Sequence, residues 1–268
     1  MIQIETYNSI KKFRLGRTIL GKGLYFTAAY FVDGLLIDSG CVYTVEELMW
    51  ALDGSVARTV VNTHSHEDHV AANTYLKKKY NAQILAHELA LPALANPSAI
   101  KLRPYQHVLW GRPEPCVAQP IGDTVETEHY KFVVIHTPGH SPDHVCLFEP
   151  KQGWLFVGDA YVGGRDRALR ADYNVWQIIG SLKKLCALDA GVLFAGSGSV
   201  RESPKFELQE KIRYLEEIGT KVLELKNKGL NRNQINRRVF GHERAIFYYT
   251  LGNFSGRNLV RSYIEDSA

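Results

Sequence analysis

Residues 59–69 read Thr-Val-Val-Asn-Thr-His-Ser-His-Glu-Asp-His. Two apolar β-branched residues, Val60 and Val61, give way to four ligand-type side chains, His64, His66, Asp68 and His69, within six positions. A short apolar run of this kind predicts a buried strand, and functional side chains collect where strands end. Neutral imidazole and carboxylate are the usual ligands of zinc-like divalent metals. Crowding them together without a metal would be costly, because buried polar groups need partners. The competing explanation, a solvated polar loop, leaves the crowding unaccounted for. His64 and His66 are two apart, so on an extended segment they point the same way.

Further stretches of the same kind follow in order. They are Thr137-Pro138-Gly139-His140, Gly158-Asp159 after the apolar run Leu155-Phe156-Val157, and Phe194-Ala195-Gly196-Ser197-Gly198. Pro138 and Gly139 make a turn that can project His140 into a site. Taken in series, from His-x-His-x-Asp-His onward, these motifs resemble those of the metallo-β-lactamase superfamily of hydrolases, over roughly residues 10–200.

The resemblance implies an αβ/βα four-layer sandwich, with two mixed β-sheets face to face, helices outside, and the metal at one edge. It implies a first metal site of His64, His66 and His140. A second would be formed by Asp68, His69 and Asp159, with Asp159 bridging. It also implies that Asp38, at the end of an early strand, orients a ligand histidine. The sequence departs from the family at one place. The last ligand is usually a histidine between two glycines, and here that position is Ser197. A hydroxyl is a poor substitute for imidazole at zinc. The expected cofactor is two zinc ions; a single metal, iron or manganese stays open, as does replacement of the missing ligand by His107 or His242. His136 and His144, which flank His140, read as structural.

The chain has 268 residues, 45% hydrophobic and 22% charged, an ordinary composition for a globular protein with a substantial core. The formal net charge of +4 comes from scattered basic residues. That pattern gives no footprint for nucleic acid and suits modest steering of anionic small molecules. Gly229 to Arg238 faintly resembles a DNA-binding helix pair, but one short basic helix carries little weight. The four cysteines, at 41, 116, 146 and 186, include no Cys-x-x-Cys. Wide spacing suggests free thiols in a reducing compartment. The N-terminus lacks a signal-peptide pattern, and no apolar run approaches the roughly 20 residues that span a bilayer. The expectation is a cytoplasmic protein without a membrane partner.

Periodicity and turn residues predict the elements. Strands are expected within 12–38, with a hairpin turn at Asp33-Gly34. A helix is expected over 44–53, where Thr44 and Glu47 spell a capping box. Further helices are expected over 70–80, 87–94, 175–188 and 206–225, and strands over 83–86, 131–136, 145–148, 154–157 and 192–195. Short helices are expected from Asn231 onward, the first opened by an Asn231–Gln234 capping box. The irregular stretch 96–128 carries five of the ten prolines. A long loop of this kind is usually functional, and it reads as a wall or lid of the pocket. Residues 1–204 read as the catalytic domain and 205–268 as a helical extension packed on it.

The chemistry expected is hydrolysis of an ester, thioester, lactone, amide or phosphodiester by metal-activated water. Asp68 is expected to double as proton acceptor and Asp159 to belong to the catalytic set. Arg165, Arg167 and Tyr105 are candidate substrate contacts, and Arg170 belongs to the same segment. No Gly-x-Ser-x-Gly nucleophile elbow or Gly-rich nucleotide loop is present. Two competitors remain. One is a mononuclear iron enzyme of the persulfide dioxygenase kind, which the same resemblance covers. The other is a binding protein with a degenerate site, for which only Ser197 speaks.

Overall fold

The computed structural model describes residues 1–19 and 21–265. Among these, seven strands form one sheet: β1 (Ile2–Tyr7), β2 (Ile10–Ile19), β3 (Lys22–Val32), β4 (Leu35–Ile37), β5 (Thr59–Val61), β6 (Gln83–Ala86) and β7 (Gln119–Pro120), in that spatial order. The first four are antiparallel and the last four run parallel. A second sheet follows from β8 (Thr124–Glu126), β9 (Lys131–His136), β10 (Val145–Glu149) and β11 (Trp154–Gly158). After a two-residue strand β12 (Leu169–Arg170), it is completed by β13 (Val192–Ala195) and β14 (Val200–Arg201). β12 leaves this sheet and pairs with β15 (Phe254–Ser255).

Strand alternation explains the layering. In β4 and β5, Leu35, Ile37 and Val61 point to the sheet–sheet interior, where they meet Phe132, Leu147, Phe156 and Phe194 of the other sheet. Leu36 and Val60, one residue out of phase, face outward onto α1 (Val45–Ala51) and α2 (Asn73–Tyr80), against Leu48, Leu52 and Leu76. The second sheet does the same. Leu155, Val157 and Leu193 face α5 (Val175–Cys186) and the long α6 (Pro204–Asn227). The helices α7 (Arg232–Phe240), the short α8 (Ala245–Tyr249) and α9 (Gly256–Glu265) follow, and α7 and α9 join that core through Ile235, Leu259 and Tyr263. The result is four layers, helix–sheet–sheet–helix, of the metallo-β-lactamase kind. Phe156 and Phe194 stack with centroids 4.8 Å apart, and the Tyr30 hydroxyl crosses between the sheets to donate to the Ala195 carbonyl at 2.6 Å.

Several local expectations need correction. The Thr44 hydroxyl does not cap α1. It donates to the Cys41 carbonyl at 3.0 Å, which ties it to the 3-10 turn before the helix. The helix expected from Val70 begins at Asn73, because the Ala71 and Ala72 amides bond across to the Gly40 and Ser39 carbonyls instead of continuing a helical ladder. β1 has no counterpart in the sequence reading. It is an edge strand whose side chains are mostly exposed, so it buries no apolar face that a pattern could reveal. The 96–128 stretch contains α4 (Pro104–Leu109), which follows the short α3 (Leu91–Ala95), together with β7 and β8. The Asp33-Gly34 turn has positive φ at both residues, 49° and 79°, as a two-residue hairpin of this twist requires. The Asn231–Gln234 capping box is formed. No helix among the described residues is long and apolar enough to cross a membrane.

Candidate metal centre

β5 runs out at Val61, and the chain that follows is held open by Asp38 at the tip of the neighbouring β4. Asp38 adopts φ 60°, accepts from the Thr63 amide at 2.8 Å, and accepts from the Thr63 hydroxyl at 2.9 Å. That brace aims His64 and His66 at one point. His64 Nε2 lies 2.9 Å from His66 Nδ1, and His140 Nε2 lies 3.0 Å from the same atom. Three nitrogens around a tetrahedral zinc at about 2.05 Å would be about 3.4 Å apart, so a small outward movement of the rings accommodates an ion. His140 reaches this point from the second sheet, at the turn after β9. Gly139 there has φ 131°, and a Cβ on it would lie 2.4 Å from the Ile178 amide nitrogen on α5. Only glycine lets the turn sit this close to the helix.

The remaining ligand-type residues form a second group beside the first. His69 Nδ1 donates to Asp38 Oδ2 at 2.8 Å, which leaves Nε2 as the free end of the ring. That nitrogen is fully buried and has no hydrogen-bond partner. It sits 3.7 Å from Asp68 Oδ2 and 3.7 Å from Asp159 Oδ2. A buried polar atom without a partner requires an explanation, and a cation between these three groups supplies one. Asp159 Oδ2 is also 3.5 Å from His140 Nε2, so one carboxylate oxygen borders both groups. His64, His66 and His140 form one set of potential ligand atoms within 4.8 Å of one another, and His64, His69 and Asp159 form another. Divalent metal fits these residues on donor type, spacing and the orphaned nitrogen.

Glycine makes room for Asp159 as well. A Cβ on Gly196 would lie 2.3 Å from Asp159 Oδ1. The Asp159 amide donates to His144 Nε2 at 3.1 Å, and His144 Nδ1 lies 2.8 Å from the Thr137 hydroxyl, so His144 is spent on the scaffold. His136 Nε2 bonds the Pro142 carbonyl at 2.8 Å. The Ser197 hydroxyl lies 3.2 Å from that of Ser199. His107 and His242 are exposed, and neither joins a ligand group among the described residues.

The electrostatics follow from burial. Burial pushes the His64 and His66 imidazoles well below their usual pKa, reinforced by neighbouring histidines and, for His66, by Arg170. His140 falls to about 3 and His144 to about 4 for the same first cause. His69 goes the other way. Burial opposes its charge, but Asp38, Asp68 and Asp159 outweigh that and hold it well above its usual value. Burial pushes the Asp68 carboxyl up. Asp159 is pushed up by burial too, but the charge of His69, followed by His140 and His144, overcomes this and holds it low.

The structure brings together His64, His66, Asp68, His69, His140 and Asp159. It sends Arg165 and Arg167 elsewhere: the Arg165 guanidinium lies 5.6 Å from the Tyr214 ring centroid, and Arg167 donates to the Phe240 carbonyl. The Tyr105 hydroxyl accepts from Asn253 Nδ2 at 2.8 Å, and its ring meets Trp110 edge-on. Two cavities border the cluster. One, of about 360 Å³, is walled by α3 and the 96–118 stretch, including Leu94, Ile100 and Leu102. The other, of about 110 Å³, is rimmed by Tyr25, Trp110, Tyr173 and Phe254. Both are lined by His66, His140 and Arg170. Sequence reasoning missed Tyr173, whose hydroxyl lies 3.2 Å from His140 Nε2. It also missed Tyr25, an aromatic residue held at φ 46° over the smaller cavity. Neither carries a spacing signal, because both arrive by tertiary approach.

The family model of the metallo-beta-lactamase superfamily matches residues 23–197, more than half of the chain. A hydroxyacylglutathione hydrolase of Pelagibacter ubique is 25% identical over 149 residues, 55% of this chain and 54% of that protein. An atrochrysone carboxyl ACP thioesterase of Aspergillus fumigatus is 27% identical over 185 residues, 67% of this chain and 52% of that protein. The chain thus spans about half the length of these curated relatives. A metallo-beta-lactamase family protein from Thermus thermophilus superposes with a TM-score of 0.71 at 16% identity, covering 97% of this chain and 94% of that one. At that identity the likeness concerns the fold, and the fold agrees with the family match: the chain belongs to the metallo-beta-lactamase superfamily.

Proposed function

We propose that the protein is a metal-dependent hydrolase of acyl esters, with a thioester as the favoured substrate class. One observation carries the reading: six ligand-type side chains from three chain segments converge, and His69 Nε2 is left buried without a partner. His64, His66 and His140 would hold one metal, and Asp68, His69 and Asp159 a second, with Asp159 shared. Zinc suits this nitrogen and oxygen set, and the same set accepts iron or manganese. When bound, such a metal acts as a Lewis acid and brings the pKa of water near 7.

The chain's own groups do the rest. Asp38 fixes the His69 ring with Nε2 outward. Asp68, whose carboxyl burial pushes up, takes the proton of the attacking water and returns it to the leaving thiolate as the C–S bond breaks. The Tyr173 hydroxyl, which burial keeps protonated, donates to the carbonyl oxygen as negative charge develops there. The names of the relatives, a thioesterase and a hydroxyacylglutathione hydrolase, support acyl–sulfur chemistry.

Ser197 favours one rival reading, a mononuclear iron enzyme acting on persulfides, because its hydroxyl is turned to Ser199. The four free thiols accord with a reducing, cytoplasmic setting. We read residues 205–268 as an extension of the catalytic unit formed by 1–204.

The test is turnover of simple thioesters by protein of measured metal content. Activity should vanish with chelator, return with zinc, and be absent from the double variant His64→Ala, His66→Ala. Full activity in that variant would sink the reading. Oxygen uptake with a persulfide by iron-loaded protein, without thioester cleavage, would install the rival.

A further inference from the structure

The two cavities that flank the metal centre share one cationic side chain, Arg170. Its position is built. β12 pairs with β15, setting Arg170 opposite Phe254. The guanidinium lies 5.2 Å from the Tyr173 ring centroid, and that ring lies 4.3 Å from the His140 ring. Only 14% of the side chain is exposed. Asp172 takes Nε and Nη2, at 2.6 and 2.7 Å. Nη1 makes no hydrogen bond among the described residues, so one end of the fork is free. Arg170 therefore presents a held cation one aromatic ring away from the reacting centre.

The larger cavity decides what accompanies that charge. Its wall includes Val70, Leu89, Leu94, Ile100, Leu102 and Pro142. At the roughly 30 Å³ a water occupies in the liquid, a volume of about 360 Å³ holds on the order of a dozen non-hydrogen atoms. The Ser141 hydroxyl, on the same wall, is buried without a partner. Acidic groups line the larger cavity, Glu67, Glu114, Asp143 and Asp172, and Asp166 adds to the smaller one beside the two aspartates of the candidate metal centre. A phosphate dianion would find one half-neutralised arginine, because Lys211, the other cation of the smaller cavity, is spent on Asp166 at 2.7 Å. A carboxylate monoanion matches one planar fork in both charge and geometry.

Resting on the hydrolase reading, we propose that the substrate is an anionic acyl thioester. Its carboxylate, a few bonds from the scissile carbon–sulfur bond, binds Arg170, while an apolar chain of about eight carbons lies in the larger cavity. Arg170 is then the residue that reads the substrate.

Two uncleavable thioethers test the subsite without chemistry: S-octyl-N-acetylcysteine and S-octyl-N-acetylcysteamine, which differ only by one carboxylate. Calorimetric titration of the metal-loaded protein should show about tenfold tighter binding of the carboxylate form, the size expected of a charge-assisted hydrogen bond. In Arg170→Ala the ratio should collapse to within about twofold. In Arg170→Lys, which keeps the charge and loses the fork, it should fall in between. Arg170→Lys carries the comparison if the alanine variant does not fold. Equal binding of the two thioethers by the wild type overturns the proposal, and so does an undiminished ratio in both variants. The matching S-octanoyl thioesters, assayed alongside, separate the two readings. Equal cleavage of both, without a thioether preference, removes the Arg170 subsite and leaves the hydrolase. A thioether preference with neither thioester cleaved removes the hydrolase and leaves the anion subsite.

Discussion

Asp38→Asn tests the centre through a residue that touches no expected metal. Asparagine matches aspartate in shape and tolerates the left-handed backbone found there, φ 60°, so the change isolates charge and hydrogen-bond direction. Asp38 accepts from three donors: the Thr63 amide, the Thr63 hydroxyl and His69 Nδ1. An amide has one accepting oxygen. If that oxygen stays on Thr63, the NH₂ faces His69 Nδ1 and moves the ring proton to Nε2, the atom left for a metal. If the amide flips, its NH₂ meets the Thr63 N–H. The first case puts a proton on the atom meant for the metal, and the second leaves a buried donor facing a donor, at about 1–3 kcal/mol.

The lost carboxylate also lowers the proton affinity of His69, which works in the opposite direction because fewer protons compete with the metal. The metal carries twice the charge of a proton, so removing the anion weakens the metal more. The net expectation is a 10- to 100-fold loss of affinity, about 1.4–2.8 kcal/mol, at the site containing His69. Titration of apo protein with zinc against a chromophoric chelator measures it. Unchanged affinity in a folded Asp38→Asn protein refutes the orienting role.

Gly196→Ala drives a Cβ to within 2.3 Å of Asp159 Oδ1. It should cut turnover at least tenfold by displacing that carboxylate, while near-UV circular dichroism stays native; wild-type kcat refutes it. Acid should destabilise the apo protein. His64, His66, His140 and His144 are held neutral by burial, so their contribution is present above the unfolded pKa of about 6.5 and is lost as pH falls toward their folded values. His69 has the opposite sign, because its raised pKa adds stability below about 6.5 that is lost as pH rises through its folded pKa. Asp68, raised by burial, has the same sign as His69; four groups against two predict a lower Tm at pH 4.5 than at pH 7, and an equal or higher Tm at pH 4.5 counts against the assignment. Because the surrounding carboxylates raise the proton affinity of His69, zinc uptake near pH 7 should release protons, measurable by titration in buffers of different ionisation enthalpy.

The metal centre was the most readable part of the sequence, because four of its six residues lie within six positions and the other two end apolar runs or turns. β6, β9 and β13 were readable to the residue, as compact apolar or alternating runs. What sequence pattern did not carry was direction and long-range approach. Arg165, Arg167 and Arg170 share one segment, and nothing in their spacing says that two turn toward the C-terminal helices while one turns to the centre. Thr44 and Glu47 have the spacing of a capping box, but the hydroxyl turns back onto Cys41, accepting from its amide at 3.3 Å and donating to its carbonyl at 3.0 Å. Tyr173 and His140 are 33 residues apart, and only the docking of α5 against the His140 turn brings them together.

The two-residue ribbon of β12 and β15 joins Arg170 to a segment some eighty residues later, beyond the stretch that the family pattern covers. The candidate ligand histidines and aspartates all lie within that stretch. On the proposed reading, the arginine that selects the substrate lies within that stretch, while one strand that holds it in place lies outside. If the proposed reading holds, substitutions near Phe254, which pairs with Arg170 and packs on Tyr173, would retune the arginine from the far end of the chain while leaving every candidate ligand residue in place.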